Sequence, residues 1–214
     1  MENVWFTSDL HISHKNILKY NPNRIEDMSL RDENDIEGHD RYILEMIDAL
    51  TKRGDTLYIL GDFVFGDERF RKKILEKIKR HGLKVHLIVG NHDKLSKSVD
   101  NLFESVEQIK CVRFKKSRFS FLDDDFRVCM CHYPMLSWDA KKYGVMHLFG
   151  HTHSNFLETD DNPNLCMNVG IDNPKAACQL FSLQQVYIEY KRKLNGKTIE
   201  EYFSELEKNP NFVF

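Results

Sequence analysis

A chain of 214 residues with 41% apolar side chains is long enough to bury one substantial core and short for two. Thirty-one basic residues against thirty-three acidic ones give a net charge of −2, without the basic excess that grips nucleic acid through many phosphates. No window approaches the roughly 18 consecutive apolar residues of a membrane span, and residues 1–6 lack the basic and apolar regions of a signal peptide, so a single cytoplasmic domain over residues 1–214 is expected.

Residues 4–8 read as a first strand. Residues 29–53 read as a helix: Ser29 can cap it, Asp32 completes a capping-box-like pair, and Tyr42, Ile43, Met46, Ile47 and Leu50 form an apolar stripe. Gly54 suits its end. Residues 56–60 are a second strand. Residues 68–81 are helical, with Phe70, Ile74, Leu75 and Ile78 on one face and Gly82 as terminator. Residues 84–89 are a third strand. From about residue 107 the pattern turns strand-rich, with candidates at 109–114, 117–122, 127–131, 146–149, 165–169 and 179–182. Asp123-Asp124-Asp125 is read as a solvated turn rather than a metal site, since Asp is a common turn former. Thr198 and Glu201 form a capping box opening a last helix, with Ile199, Tyr202, Phe203 and Leu206 inward. Alternating β and α units followed by a run of strands predict a layered α/β architecture with more than one sheet.

The cysteines Cys111, Cys129, Cys131, Cys166 and Cys178 form an odd set without a secretion signal, which suits reduced, mostly buried thiols. Cys129 and Cys131 share a strand face. They could bind a metal, but small hydrophobes in a core strand is the preferred reading.

The chemistry gathers in short segments that each follow a predicted strand: Asp9-Leu10-His11, Gly61-Asp62, Gly90-Asn91-His92-Asp93, His132-Tyr133-Pro134 and Gly150-His151-Thr152-His153. Strand ends of α/β sheets are where ligands collect. In an extended segment residues i and i+2 point the same way, so Asp9 and His11 can share an ion, and His151 and His153 can join one cluster. Gly61, Gly90 and Gly150 allow sharp turns or close backbone approach. Imidazole and oxygen donors together suit Mn, Fe, Zn, Ni or Co better than calcium. His14 could contact substrate or cap a short helix beginning near residue 13. Arg24 could clamp a phosphate through its planar fork, or sit as a solvated loop arginine. Asn168 and Gly170 could line the site from a strand end.

In their order along the chain, these blocks resemble the signature of the calcineurin-like metallophosphoesterase superfamily, over residues 9–153. The resemblance implies a four-layer α-β-β-α sandwich of two mixed β-sheets flanked by helices. It implies that Asp9, His11 and His153 hold one divalent ion, that Asn91, His132 and His151 hold another, and that Asp62 bridges them. Mn2+ comes first among the metals, with Fe, Ni, Zn, Co or Mg as alternatives. His92 would be the catalytic acid or transition-state donor and Asp93 its orienting partner, unless Asp93 is a simple turn residue. The implied reaction is direct in-line attack of a metal-bound hydroxide on a small phosphate ester, a diester before a monoester, with no phosphoenzyme. Two rivals are weighed. A non-catalytic interaction scaffold would have lost ligand residues, and none is missing. A nuclease would be expected to carry extra domains or long insertions and more positive charge. The sequence names no oligomeric partner.

Overall fold

The computed structural model describes residues 2–154 and 165–208. The chain opens with strand β1 (Val4–Thr7) and passes through two single-turn helices, α1 (Ile17–Tyr20) and α2 (Asn23–Asp27), to the long α3 (Ile36–Leu50). Strand β2 (Thr56–Ile59), helix α4 (Glu68–Ile78), strand β3 (Lys84–Ile88), helix α5 (Lys97–Asp100) and strand β4 (Ser105–Glu107) follow. These strands pair in parallel in the order β4-β3-β2-β1, which the helical crossovers make possible. A second sheet takes β5 (Ile109–Phe114), β6 (Phe126–Cys131), β7 (Met146–Phe149) and β8 (Cys166–Asn168) in sequence order, with β5 antiparallel and the others parallel. The short β9 (Phe181–Ser182) returns antiparallel to β1, and helices α6 (Leu183–Leu194) and α7 (Ile199–Glu207) close the described chain.

Alternation along each strand divides the side chains between two cores. From β2, Leu57 and Ile59 face Ile43 and Ile47 of α3 and Ile74, Leu75 and Ile78 of α4. Tyr58, with Phe6 of β1 and Ile88 of β3, faces Val128, Met130, Met146, Leu148 and Met167 of the other sheet. With both faces covered, the strands read as near-continuous apolar runs. The outer face of the second sheet, Cys129, Phe149 and Cys166, lies under Trp138 and Val145 of the turn-rich segment after β6. The result is two mixed sheets flanked by helices, as the resemblance implies. Burial pushes the Cys129 thiol up to about 12, so it serves as a small core hydrophobe. No helix among the described residues is long and apolar enough to cross a membrane.

Several elements depart from expectation. The helix predicted over 29–53 begins only at Ile36. Asp35, not Ser29, accepts the Gly38 amide at 3.1 Å, and the Arg31 guanidinium holds the same carboxylate at 2.7 Å. Ser29 sits in the left-handed region at φ 54°. Residues 117–122 form turns rather than a strand, because Phe119 and Leu122, at helical rather than alternate spacing, both enter the inter-sheet core. Strand β4 and helix α6 were not anticipated, although α6 carries a capping box between Ser182 and Gln185. The predicted box at Thr198 and Glu201 forms, at 3.2 and 2.8 Å. Tyr202 is buried against Leu165 and Leu194, while the side chains of Ile199, Phe203 and Leu206 lie outside those described.

Candidate metal centre

The two sheets meet at the C-terminal ends of their parallel strands. Ser8, just past β1, bridges Gly170, just past β8. There the chain makes tight turns rather than the extended segments expected at Asp9-x-His11 and His151-x-His153. Five of the seven predicted ligand positions lie in the left-handed region: Asp9 (φ 58°), His11 (50°), Asp62 (54°), His151 (69°) and His153 (51°). For a residue with a Cβ this conformation costs about 1–2 kcal/mol, and such strain collects at functional sites. Neighbouring amides hold the turns: Asp9 N–H donates to the Gly61 carbonyl at 3.1 Å and His11 N–H to the Asp62 carbonyl at 2.9 Å. Glycine is required where the loops touch. A Cβ on Gly61 would lie 2.5 Å from His132 Nδ1, and one on Gly150 would lie 1.9 Å from Ser8 Oγ.

The seven side chains converge. Ligand atoms of Asp9, His11 and His153 lie within 4.8 Å of one another, and so do those of Asp9, Asp62 and His132. Asp62 Oδ2 stands between the groups, 3.6 Å from His11 Nε2 and 3.6 Å from His132 Nε2. Asn91 Oδ1 is 3.0 Å from His132 Nε2, and the His151 ring is 5.1 Å from the His132 ring. The donor set fits divalent cations. Both ring nitrogens of His11 are buried without a hydrogen-bond partner among the described residues. Burial first, then the charge of Arg24, pushes its pKa down to about 2, so the ring is neutral and able to coordinate a cation. Burial pushes Asp9 up to about 6, and a bound cation would act in the opposite direction. His132 Nδ1–H donates to the Leu60 carbonyl at 2.7 Å, which leaves Nε2 for a metal.

The remaining candidates separate. His92 is exposed, its backbone N–H donates to Asp62 Oδ1 at 2.9 Å, and its ring lies 5.8 Å from that of His11, near the cluster without joining it. Among the described residues, Asp93 makes no hydrogen bond to the His92 ring. Its carboxylate accepts the amides of Gly90 (2.8 Å), Asp62 (3.0 Å) and Phe63 (3.0 Å), so it braces the two loops against each other. His14 does not cap the helix by side chain. Its ring packs 4.3 Å from Phe65 and 5.5 Å from His11, with Nδ1 buried and unpartnered among the described residues, and burial lowers its pKa. Arg24 is neither a solvated arginine nor a substrate clamp. It is 0% exposed and its fork is committed to Asp172, at 2.6 Å for each of two bonds. Asn168 fastens the His151–His153 turn by donating to the His153 carbonyl at 2.9 Å. Asp172 escaped the sequence reading. It accepts from His153 Nδ1–H at 2.6 Å. Burial opposes a charge on Asp172, but Arg24 holds it well below the usual carboxylate range. Its only sequence signal is its place just past the strand predicted at 165–169.

Two curated relatives are the Gene 66 proteins of Mycobacterium phages L5 and D29. The first is 28% identical over 207 residues, covering 87% of this chain and 93% of the relative, and the second is 27% identical, covering 80% and 89%. A third, the uncharacterized protein MJ1445 of Methanocaldococcus jannaschii, is 23% identical and covers 74% of this chain and 73% of its own length. The crystal structure of AQ665 from Aquifex aeolicus, titled a protein of unknown function, superposes with a TM-score of 0.64 at 22% identity, over 88% of this chain and all of that one, and so shares the fold. The sequence model of the calcineurin-like phosphoesterases matches residues 2–155, the span that carries every ligand block, and the chain therefore belongs to that family of metal-dependent phosphoester hydrolases.

Proposed function

We propose that the chain is a dinuclear phosphoesterase that prefers diesters to monoesters and hydrolyses them without a phosphoenzyme. The position of Asp62 Oδ2, equidistant at 3.6 Å from His11 and His132, carries the reading. One carboxylate so placed can serve two cations. Asp9, His11 and His153 would hold the first, Asn91, His132 and His151 the second. Mn2+ leads the metals, with Fe, Ni, Zn, Co or Mg also suited to these donors. When bound, the pair lowers the pKa of a water and absorbs charge on the phosphoryl oxygens. The chain's own groups supply the rest. His92 is exposed beside the cluster without being a ligand, and so can deliver a proton to the leaving alkoxide. The three amides on Asp93 hold the His92 loop in place. His14, with a buried nitrogen free of protein partners among the described residues, is the substrate contact on the His11 side.

A panel of monoesters, linear diesters and cyclic nucleotides, each with Mn2+, Mg2+, Ni2+ and no metal, tests this. Turnover is expected only with metal and fastest on diesters. His92→Ala should lower kcat by about 10²–10⁴-fold while both ions stay bound, and Asp62→Ala should lose metal and activity together. Turnover that survives complete chelation would overturn the proposal.

A further inference from the structure

Arg24 and Asp172 form a buried ion pair beneath the metal centre, each with a side chain 0% exposed. Charges so buried require partners on every donor and acceptor, and the partners here all lead to one half of the centre. Arg24 Nη2–H donates to the Asp9 carbonyl at 2.7 Å, and Nη1–H to the carbonyl of Leu10, the residue between Asp9 and His11, at 3.3 Å. Nη1 also meets His39 Nε2 at 2.9 Å. The other nitrogen of His39 faces Asp40 at 3.0 Å, and Asp40 accepts the Ser13 amide at 2.8 Å. One guanidinium thus grips the left-handed turn over residues 9–13 at several points. Through Asp172 the same group reaches His153, whose Nδ1–H donates at 2.6 Å. A ligand histidine needs such an acceptor to fix its tautomer and ring orientation. Among the described residues, no hydrogen bond runs from Arg24 or Asp172 to Asn91, His132 or His151. His132 takes its acceptor from the Leu60 carbonyl instead.

We propose that Arg24 and Asp172 are positioning residues for one of the two cations alone, the one held by Asp9, His11 and His153. This rests on the two-ion reading above. Arg24 shapes the backbone that carries Asp9 and His11, and Asp172 turns Nε2 of His153 toward the ion. The bidentate fork keeps Asp172 ionised without leaving an unpaired charge.

The test is titration of the metal-free full chain with Mn2+ by calorimetry. Arg24→Met with Asp172→Asn removes both charges together, and Asp172→Asn alone leaves Arg24 on the backbone of residues 9 and 10; both keep an acceptor oxygen for His153. Wild type should bind two ions. The double variant should bind one at unchanged affinity and the other about 10–100-fold more weakly, with a smaller loss for Asp172→Asn. Adding His153→Ala to Asp172→Asn should weaken that same ion and leave the other untouched. If the double variant fails to melt cooperatively, Asp172→Asn carries the comparison. Equal weakening of both ions, or of neither, in variants that melt cooperatively overturns the positioning role. A wild type that binds fewer than two ions overturns the two-ion reading itself.

Discussion

At His151 the backbone has a φ of 69° while the side chain reaches solvent, so the cost of the turn and the work of the ring can be separated. The turn aims the ring at the His132 side of the centre and offers the residue's amide to Asp9, at 3.1 and 2.9 Å for its two oxygens. A glycine would adopt the same φ without steric cost but could not bind metal. His151→Gly and His151→Ala both remove the ring, and only glycine relieves the strain. In chelator, the glycine variant should unfold about 1 kcal/mol harder than the alanine variant in urea, while both lose metal affinity equally. If alanine proved as stable as glycine, the turn would not be strained. The same logic explains why seven ligand positions could be named from sequence while their backbone shape could not. Asp-x-His is a pattern of donors, compatible with an extended or a coiled segment, and the neighbouring loops choose the coil.

Between elements, His147 of β7 ties the frame behind the centre together. It is fully buried, its Nδ1–H donates to the Cys129 carbonyl of β6 at 3.0 Å, and its Nε2 accepts the Met135 amide at 3.2 Å, in the segment that follows His132. Burial holds its pKa below the ordinary 6.5, against the Cys129 and Tyr133 carbonyls at its two ring nitrogens, which favour the charged ring. The unfolded chain takes up that proton and the folded chain refuses it. Stability is therefore full above about pH 6.5 and is lost as pH falls below it, by at most about 1.4 kcal/mol per pH unit for this one proton. Urea midpoints of metal-free protein between pH 7.5 and 5 should fall more steeply in wild type than in His147→Gln. Identical slopes would show that His147 is not the group responsible.

Across the whole molecule, the centre is where the two sheets are joined. Asp9, Asp62 and Asn91 follow strands of the first sheet, and His132, His151 and His153 follow strands of the second. Cations bound there link the layers in the folded chain only, so they stabilise it by mass action. At a free metal concentration of 100 times Kd, one ion adds about 2.7 kcal/mol, or about 5–11 °C in Tm for a chain of this size. Chelation should lower Tm by at least that much and abolish hydrolysis in parallel. A Tm unmoved by complete metal removal would mean that the sheets hold the ligands in place without help.

Most strand positions, and the ligand blocks in their order along the chain, were legible because each is a local pattern: a short apolar run, then glycine or a cluster of Asp, His and Asn at its end. The helix start at Ile36, the turns at 117–122 and the partners of Arg24, Asp93 and His153 were not. Arg24 and Asp172 are 148 residues apart, and Asp93 takes amides from residues about thirty positions away as well as from Gly90. A buried charge must find its hydrogen-bond partners wherever the folded chain brings backbone and side chains past it, and that crossing leaves no period in the sequence.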